Sequence, residues 1–351
     1  MNIAQIVPEM EIGGVEQGTF DLARGLLARG HKSIIISNGG RLIPKLRALG
    51  VKHYPLPVHR KSPIVMARMV KEVRRILRKE NIDILHAKSR VPAWIGYYAT
   101  RNCSFCHFVT SFHGFYSPHP LSKIMAKGER VIAVSRALAK YAAGKFKVPE
   151  KKLRVVYNGV EVKEYPELER KGLRIGILAR ATPLKGYRYF IEAFAKVRER
   201  VPDAKGFIIG PLPKDKISYK KELEGLIKKL HLRNIEFIPP EQKEEIFPTL
   251  NILVSSSIVP EAFGRTMVEA QLAGILVIAT NIGASLEIIE DRKTGLLVPP
   301  NDSNALAGAI VRLLSDDDLR KKMGKAGKEK IDAKFSAQTM VSQIEKVYEE
   351  L

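Results

Sequence analysis

Two carboxylates, Glu261 and Glu269, stand eight positions apart around a glycine turn in the run Pro260-Glu261-Ala262-Phe263-Gly264-Arg265-Thr266-Met267-Val268-Glu269. An apolar segment ending in polar residues, 251–257, precedes the turn and the helical pattern 267–272 follows it, so the glycine falls where a strand hands over to a helix. Free backbone N–H groups and the helix dipole at such a junction attract a phosphate. Glu261 then stands in the loop beside that phosphate and Glu269 about two turns along the helix. One carboxylate is placed for the hydroxyls of a sugar and the other for the ribose of its nucleotide carrier, which reads as a sugar-nucleotide site. The plainer alternative, a loop Glu plus a solvated helix Glu, is weighed against the rest of the chain.

A second charged element is Ala179-Arg180-Ala181-Thr182-Pro183-Leu184-Lys185-Gly186, two cations five residues apart after another strand pattern. Such a pair neutralises a diphosphate leaving group without a metal. Alone it would read as two exposed loop cations; beside the Glu261–Glu269 element it reads as the other half of one site. Near the start, Gly13-Gly14 between a strand pattern and a helix pattern lets the backbone approach a phosphate or sugar closely. It is not the Gly-x-Gly-x-x-Gly fingerprint, and the acidic residue about 20 positions on is missing, which disfavours NAD. The chain is read as having no Asp-x-Asp, so neither a metal site nor any other cofactor is expected.

These elements need a frame. A chain of 351 residues suits two α/β domains rather than one core. No window approaches the ~18–20 apolar residues of a membrane span, and the start lacks a signal-peptide pattern, so the expected location is cytoplasmic. The pair Cys103 and Cys106 has the spacing of redox, zinc and haem-attachment motifs, but two reduced, semi-buried thiols fit the segment better. The net charge is +22, and residues 1–165 hold 29 Lys and Arg against 11 Asp and Glu, while 166–351 hold 30 against 26. The first half therefore meets something acidic. Eight basic residues and one acid, Glu72, lie between Arg60 and Lys79, and Met66, Met69, Val70, Val73, Ile76 and Leu77 recur there at helical spacing. A basic amphipathic helix of this kind can lie on an anionic bilayer, or pack on its own sheet with a solvated basic face.

Strand and helix patterns alternate from end to end. In the first half, strands at 3–7, 33–37, 82–86, 108–111 and 131–135 alternate with helices at 15–28, 63–79, 92–100 and 136–146. The pattern restarts after the polar run Pro166–Gly172, with strands at 174–179, 206–209, 235–238, 252–255 and 277–280. The fold class is α/β with doubly wound parallel sheets. The expected division is an N-terminal acceptor-binding domain over 1–165, a sugar-nucleotide-binding domain over 166–335, and a C-terminal helix over 336–351 crossing back to the first domain.

On these residues the chain resembles the retaining glycosyltransferases of family four, with the GT-B fold of two doubly wound Rossmann-like domains facing across a cleft. The resemblance covers essentially the whole chain. It rests on Gly13-Gly14, Val131–Ser135, Val156–Val160, Arg180 with Lys185-Gly186, Glu261 with Glu269, and Thr294–Val298. It implies that Arg180 and Lys185 bind the donor diphosphate with the N–H groups of Gly264, Arg265, Thr266 and Met267. It further implies that Glu269 holds the ribose, Glu261 touches the sugar hydroxyls, and Gly13 and Gly14 border diphosphate and acceptor. The family's second glycine pair with its glutamate appears here as Ile282–Glu287, with Ala284 for the second glycine and Glu287 retained.

A narrower resemblance, carried by His86–Trp94 and Thr110–Gly114, is to lipopolysaccharide core transferases that add a hexose, often mannose. It implies His113 at the reacting sugar, Lys88 and Arg90 on acceptor carboxylates, and an anionic glycolipid acceptor at the inner-leaflet membrane surface. The donor is then GDP-mannose or UDP-glucose, transferred with retention by Arg180, Lys185, Glu261 and His113 without a metal. A family-four transferase acting on another glycolipid or polysaccharide precursor is the nearest alternative. A non-catalytic membrane-surface or nucleic-acid-binding protein would use the same charge. The basic half, however, lacks an aromatic stacking series or a recognised nucleic-acid module, so no nucleic-acid partner is expected.

Overall fold

The computed structural model describes residues 1–161, 172–210, 217–239 and 242–351. The chain divides into two compact units, Met1–Glu161 with Phe335–Leu351, and Val162–Lys334. The expected boundary at 165/166, with residues 166–171 of the polar run, lies outside the described residues.

The first unit alternates β1 (Asn2–Ile6), α1 (Gly14–Ala28), β2 (Lys32–Ser37), α2 (Ile43–Ala48), β3 (Lys52–Pro55), α3 (Pro63–Lys79), β4 (Ile84–Ala87), α4 (Arg90–Thr100), β5 (His107–Phe112), β6 (Arg130–Ala133), α5 (Arg136–Phe146) and β7 (Leu153–Val155). The strands form one parallel sheet in the order β3-β2-β1-β4-β5-β6-β7. Helices cover both faces, so central strands read as continuous apolar runs such as Ile34-Ile35-Ile36, all fully buried. Ser135 caps α5 by accepting a hydrogen bond from the Leu138 amide.

The second unit holds β8 (Arg174–Leu178), α6 (Tyr187–Arg200), β9 (Lys205–Ile209), α7 (Ile217–Lys229), β10 (Ile235–Ile238), α8 (Lys243–Ile246), β11 (Ile252–Ser255), α9 (Arg265–Leu272), β12 (Leu276–Thr280), α10 (Ser285–Ile288), β13 (Gly295–Val298), α11 (Ser303–Leu314) and α12 (Asp317–Lys334). Its sheet is parallel in the order β10-β9-β8-β11-β12-β13. A core of Tyr187, Phe190 and Phe194 from α6 packs with Ile177, Val254 and Ile278 of the strands and Ile310 of α11. The last helix, α13 (Ala337–Glu349), belongs to the first unit, where Met340, Val341, Ile344 and Tyr348 join Ile3, Leu22, Leu26 and Val109 in one core.

Several elements differ from the sequence expectation. The strands β3 and β7 lie at the sheet edges, where four and three residues suffice and one-sided exposure removes the apolar run. The polar stretch 325–334 is the latter part of α12, whose burial narrows to a few positions such as Met323 and Ile331. Asp316-Asp317-Asp318 does make an Asp-x-Asp. It opens α12 rather than following a strand: Asp316 accepts from the Leu319 amide and Asp317 pairs with Arg320.

Both sheets reverse their winding once, between β1 and β4 and between β8 and β11. At such switch points the loops leaving the carboxyl ends diverge and open a crevice. Gly13-Gly14 and Lys88 follow the first pair of strands; Arg180, Lys185 and Glu261 follow the second.

Candidate functional site

In the second unit three loops at the carboxyl ends of β8, β11 and β12 are stitched together. Leu178 ends β8, Arg180 lies two residues on, and a 3-10 turn over Pro183–Lys185 leads to Gly186 at φ 67°. A Cβ on Gly186 would lie 1.9 Å from the Ser256 carbonyl oxygen, so only glycine lets this loop close on the β11 exit. The Ser256 hydroxyl donates to the carbonyls of Lys185 and Gly186, and the Ile258 amide donates to the Leu184 carbonyl. Across that seam Lys185 Nζ donates to Glu261 Oε1 at 2.5 Å, and Ser257 Oγ donates to the same oxygen at 2.5 Å. Glu261 also bridges Gly283, and the Ala284 amide donates to the Glu261 carbonyl, which ties in the loop that leads to α10 and Glu287. The methyl of Ala284 is accommodated, since the residue is buried at 1% exposure.

Gly264, at φ 88°, precedes α9 with no side-chain cap, which leaves the first amides of the helix, including those of Arg265 and Thr266, without a side-chain acceptor from the capping position. Arg265 Nε pairs with Glu269 Oε1 at 2.9 Å, one turn along the helix. Arg180 is exposed and makes no ion pair among the described residues. The structure thus brings Lys185 to Glu261 across two loops and pairs Arg265 with Glu269 along α9. Ser257 is a member that sequence reading passed over; its place at the end of the apolar run beside the Glu261 loop was the available signal.

In the first unit Gly13 has φ −170°, an extended conformation open to any residue, and a Cβ on Gly14 would meet nothing within 4 Å. A Cβ on Gly13 would run into the Glu16 carboxylate, so the open space before α1 lies at Gly14, and neither glycine provides a left-handed turn. His113 lies one residue past β5, and both ring nitrogens are buried without a hydrogen-bond partner among the described residues. Desolvation, reinforced by the Lys88 charge, lowers its pKa to about 3, so the ring is neutral. Below it His86 Nδ1 meets the Tyr348 hydroxyl at 2.7 Å and His86 Nε2 meets Ser111 Oγ at 2.5 Å, a buried relay from β4 and β5 to α13.

Lys88 and Arg90, both expected on acceptor carboxylates, differ in burial. Arg90 is exposed, with its guanidinium 5.3 Å from the Tyr116 ring centroid and Nη1 3.4 Å from Ser122 Oγ. Lys88 is 3% exposed, and desolvation lowers its pKa to about 7, against a partial opposing effect of Asp21. Asp21 itself is buried on α1 and accepts from Gln17 Nε2 at 2.9 Å. Its burial within a helix pattern left no trace in the sequence reading.

Helix α3 buries Met69, Val73, Ile76 and Leu77 and exposes Arg68, Lys71, Arg75 and Arg78. Arg74 anchors it to α4 by donating to the Tyr98 and Ala99 carbonyls. Cys103 and Cys106 are free thiols, and burial pushes Cys106 up to about 12, far from a reactive thiolate. Among the described residues no helix is long and apolar enough to cross a membrane.

Residues 12–164 match the model described as Glycosyltransferase Family 4, and residues 162–330 match Glycosyl transferases group 1. An uncharacterised glycosyltransferase of Methanocaldococcus jannaschii is 31% identical over 79% of this chain and 78% of its own. An N-acetyl-alpha-D-glucosaminyl L-malate synthase of Bacillus anthracis is 26% identical over 96% of this chain and 94% of its own. A phosphatidyl-myo-inositol mannosyltransferase of Mycobacterium leprae is 27% identical over 96% and 93%. Among solved structures, a glycosyltransferase from Rickettsia africae superposes with a TM-score of 0.89 at 33% identity, covering 99% of this chain and 98% of that one. Anabaena HepE in complex with UDP-glucose shares the fold, with a TM-score of 0.86 at 21% identity over the full length of both. With its two parallel-sheet units and these matches, the chain belongs to the group 1, family 4 glycosyltransferases and has the GT-B fold.

Proposed function

We propose that the enzyme is a retaining hexosyltransferase that moves a hexose, with mannose favoured, from a nucleotide-diphosphate sugar to an anionic lipid-linked acceptor of the lipopolysaccharide inner core. The observation that carries the donor half is the seam at which Lys185 meets Glu261 beside the uncapped start of α9. As the glycosidic bond to phosphate breaks, negative charge grows on the diphosphate. Arg180, Lys185 and the amides of Gly264 to Thr266 are the groups to receive it, whereas the Met267 amide already donates to the Gly264 carbonyl; one such preorganised contact is worth about 3–4 kcal/mol. Glu269 is the ribose partner, Glu287 on α10 is a further donor contact, and Gly13 and Gly14 border diphosphate and acceptor, with open space at Gly14.

Glu261 is a poor nucleophile, because its Oε1 already accepts from an ammonium and a hydroxyl. Its role is to hold the sugar hydroxyls. The acceptor oxygen then bonds to the anomeric carbon on the face the phosphate leaves, and the leaving phosphate takes the acceptor proton, which gives retention without a metal. His113, neutral and with two unused nitrogens, supplies hydrogen bonds to the reacting sugar. Arg90 is the exposed cation for an acceptor carboxylate or phosphate.

The anionic acceptor is supported by the basic first half and by relatives named for malate and for phosphatidylinositol. The basic face of α3 supports a peripheral position at the inner leaflet, facing the cytoplasm. UDP-glucose, bound by the Anabaena neighbour, is the competing donor, used on another glycolipid. The test is a donor panel with GDP-mannose and UDP-glucose, with and without a 3-deoxy-octulosonate-bearing lipid A precursor. Slow donor hydrolysis is expected without the precursor, and with it faster nucleotide release that gives an α-linked product from an α-donor. An inverted anomer, or no nucleotide released from any donor, overturns the reading.

A further inference from the structure

Lys88 follows the end of β4 by one residue, as His113 follows the end of the neighbouring β5. The parallel register Ala87↔Thr110 sets Lys88 beside Ser111, so His86, Lys88, Ser111 and His113 share one face of the sheet, the face covered by α1 and α13. Lys88 is 3% exposed; its backbone amide donates to the Ile6 carbonyl, while its ammonium makes no hydrogen bond and no ion pair at contact distance among the described residues. Asp21, on α1, is the carboxylate that favours its charge; His86 and His113 are the titratable groups that its charge disfavours. A flexible ammonium is rarely buried without such a contact. The two empty nitrogens of His113 mark the adjoining space as one that a ligand completes.

We propose that Lys88 is a titrating positioning residue for this site: its buried ammonium, opposed by Asp21, supplies the positive charge behind His113 only while it is protonated. The group it serves is the phosphate or carboxylate of a reactant entering beside His113. A lysine exposed on a loop would stay charged at every physiological pH. Burial instead brings Lys88 to about 7, so its proton is released to solvent as the medium turns alkaline and the site loses its attraction for the anion.

The inference relies on the proposed transferase reading for its kinetic readout only. Wild type, Lys88→Arg, Lys88→Met and Asp21→Asn are compared in donor turnover from pH 6 to 9. Wild-type kcat/KM is expected to fall about tenfold between pH 7 and 8.5, chiefly through KM. The arginine variant, which cannot deprotonate in this range, should stay flat within about twofold. The methionine variant should be low throughout, and Asp21→Asn should move the alkaline limb to lower pH. An arginine variant whose profile follows wild type overturns the proposal. A second measurement needs no turnover: 15N NMR of lysine-labelled protein, with the Lys88 signal assigned by its loss in Lys88→Arg. A midpoint near 7 supports the proposal and one above 9 overturns it. A midpoint near 7 in a protein that turns over no donor counts against the transferase reading alone.

Discussion

Lys185 and Glu261, 76 positions apart in the chain, are joined at 2.5 Å between Nζ and Oε1. The pair closes a seam between two loops at the switch point of the second sheet, and it leaves both side chains partly exposed, at 30% and 17%. The same contact therefore fixes local structure and keeps a cation accessible to an anionic ligand.

That dual role separates two variants. Arg180→Ala removes a solvent-facing cation and should lower donor turnover by about 100- to 1000-fold with an unchanged melting temperature. Lys185→Ala should lower turnover as much and also destabilise the unit, because Glu261 is left with Ser257 alone. Donor hydrolysis assays and thermal melts on the two proteins check the split.

Gly186→Ala places a methyl against the Ser256 carbonyl and imposes φ 67° on a residue with a Cβ. A loss of roughly 1–3 kcal/mol is expected, seen as a lowered melting temperature with donor turnover lost in parallel.

Glu80 is buried where Lys32 and Lys52 meet its two oxygens, at 2.7 and 2.5 Å, with the Tyr54 hydroxyl as a further donor. These hydrogen bonds, Lys32 foremost, hold its carboxyl at about 2 against an ordinary 4.5. A depressed carboxylate stabilises the fold fully above its unfolded value, and the gain is lost as pH falls from about 4.5 through 2. Because both lysines are about half exposed, screening leaves on the order of 1–2 kcal/mol. Glu80→Gln should be less stable than wild type at pH 7, and the difference should shrink toward pH 2 in denaturant titrations.

The exposed basic face of α3 should bind vesicles containing anionic lipid. Each basic group contributes on the order of 1 kcal/mol there. Arg68→Glu with Lys71→Glu should weaken sedimentation with such vesicles at least about tenfold, and added salt should do the same to wild type. Trp94, the sole tryptophan of the chain, lies on the neighbouring helix α4 and stacks on Tyr98, so its emission reports contact with lipid near that helix.

Much was legible without coordinates. Periodicity marked α3 at Pro63–Lys79 and α5 at Arg136–Phe146 to the residue, and apolar runs marked the central strands, because elements buried on a broad face repeat their pattern locally. Edge strands such as β3 escaped, since one-sided pairing needs no such run.

Residue type and spacing pointed to the groups proposed for the chemistry, the cations at 180 and 185 and the carboxylates at 261 and 269, and a family resemblance added the imidazole at 113. Tertiary structure alone decided their states. It set Lys185 on Glu261 and Arg265 on Glu269, left both nitrogens of His113 without partners, and buried Lys88 against the field of Asp21. Such states depend on desolvation and on charges brought close by folding, and neither quantity is a function of distance along the chain.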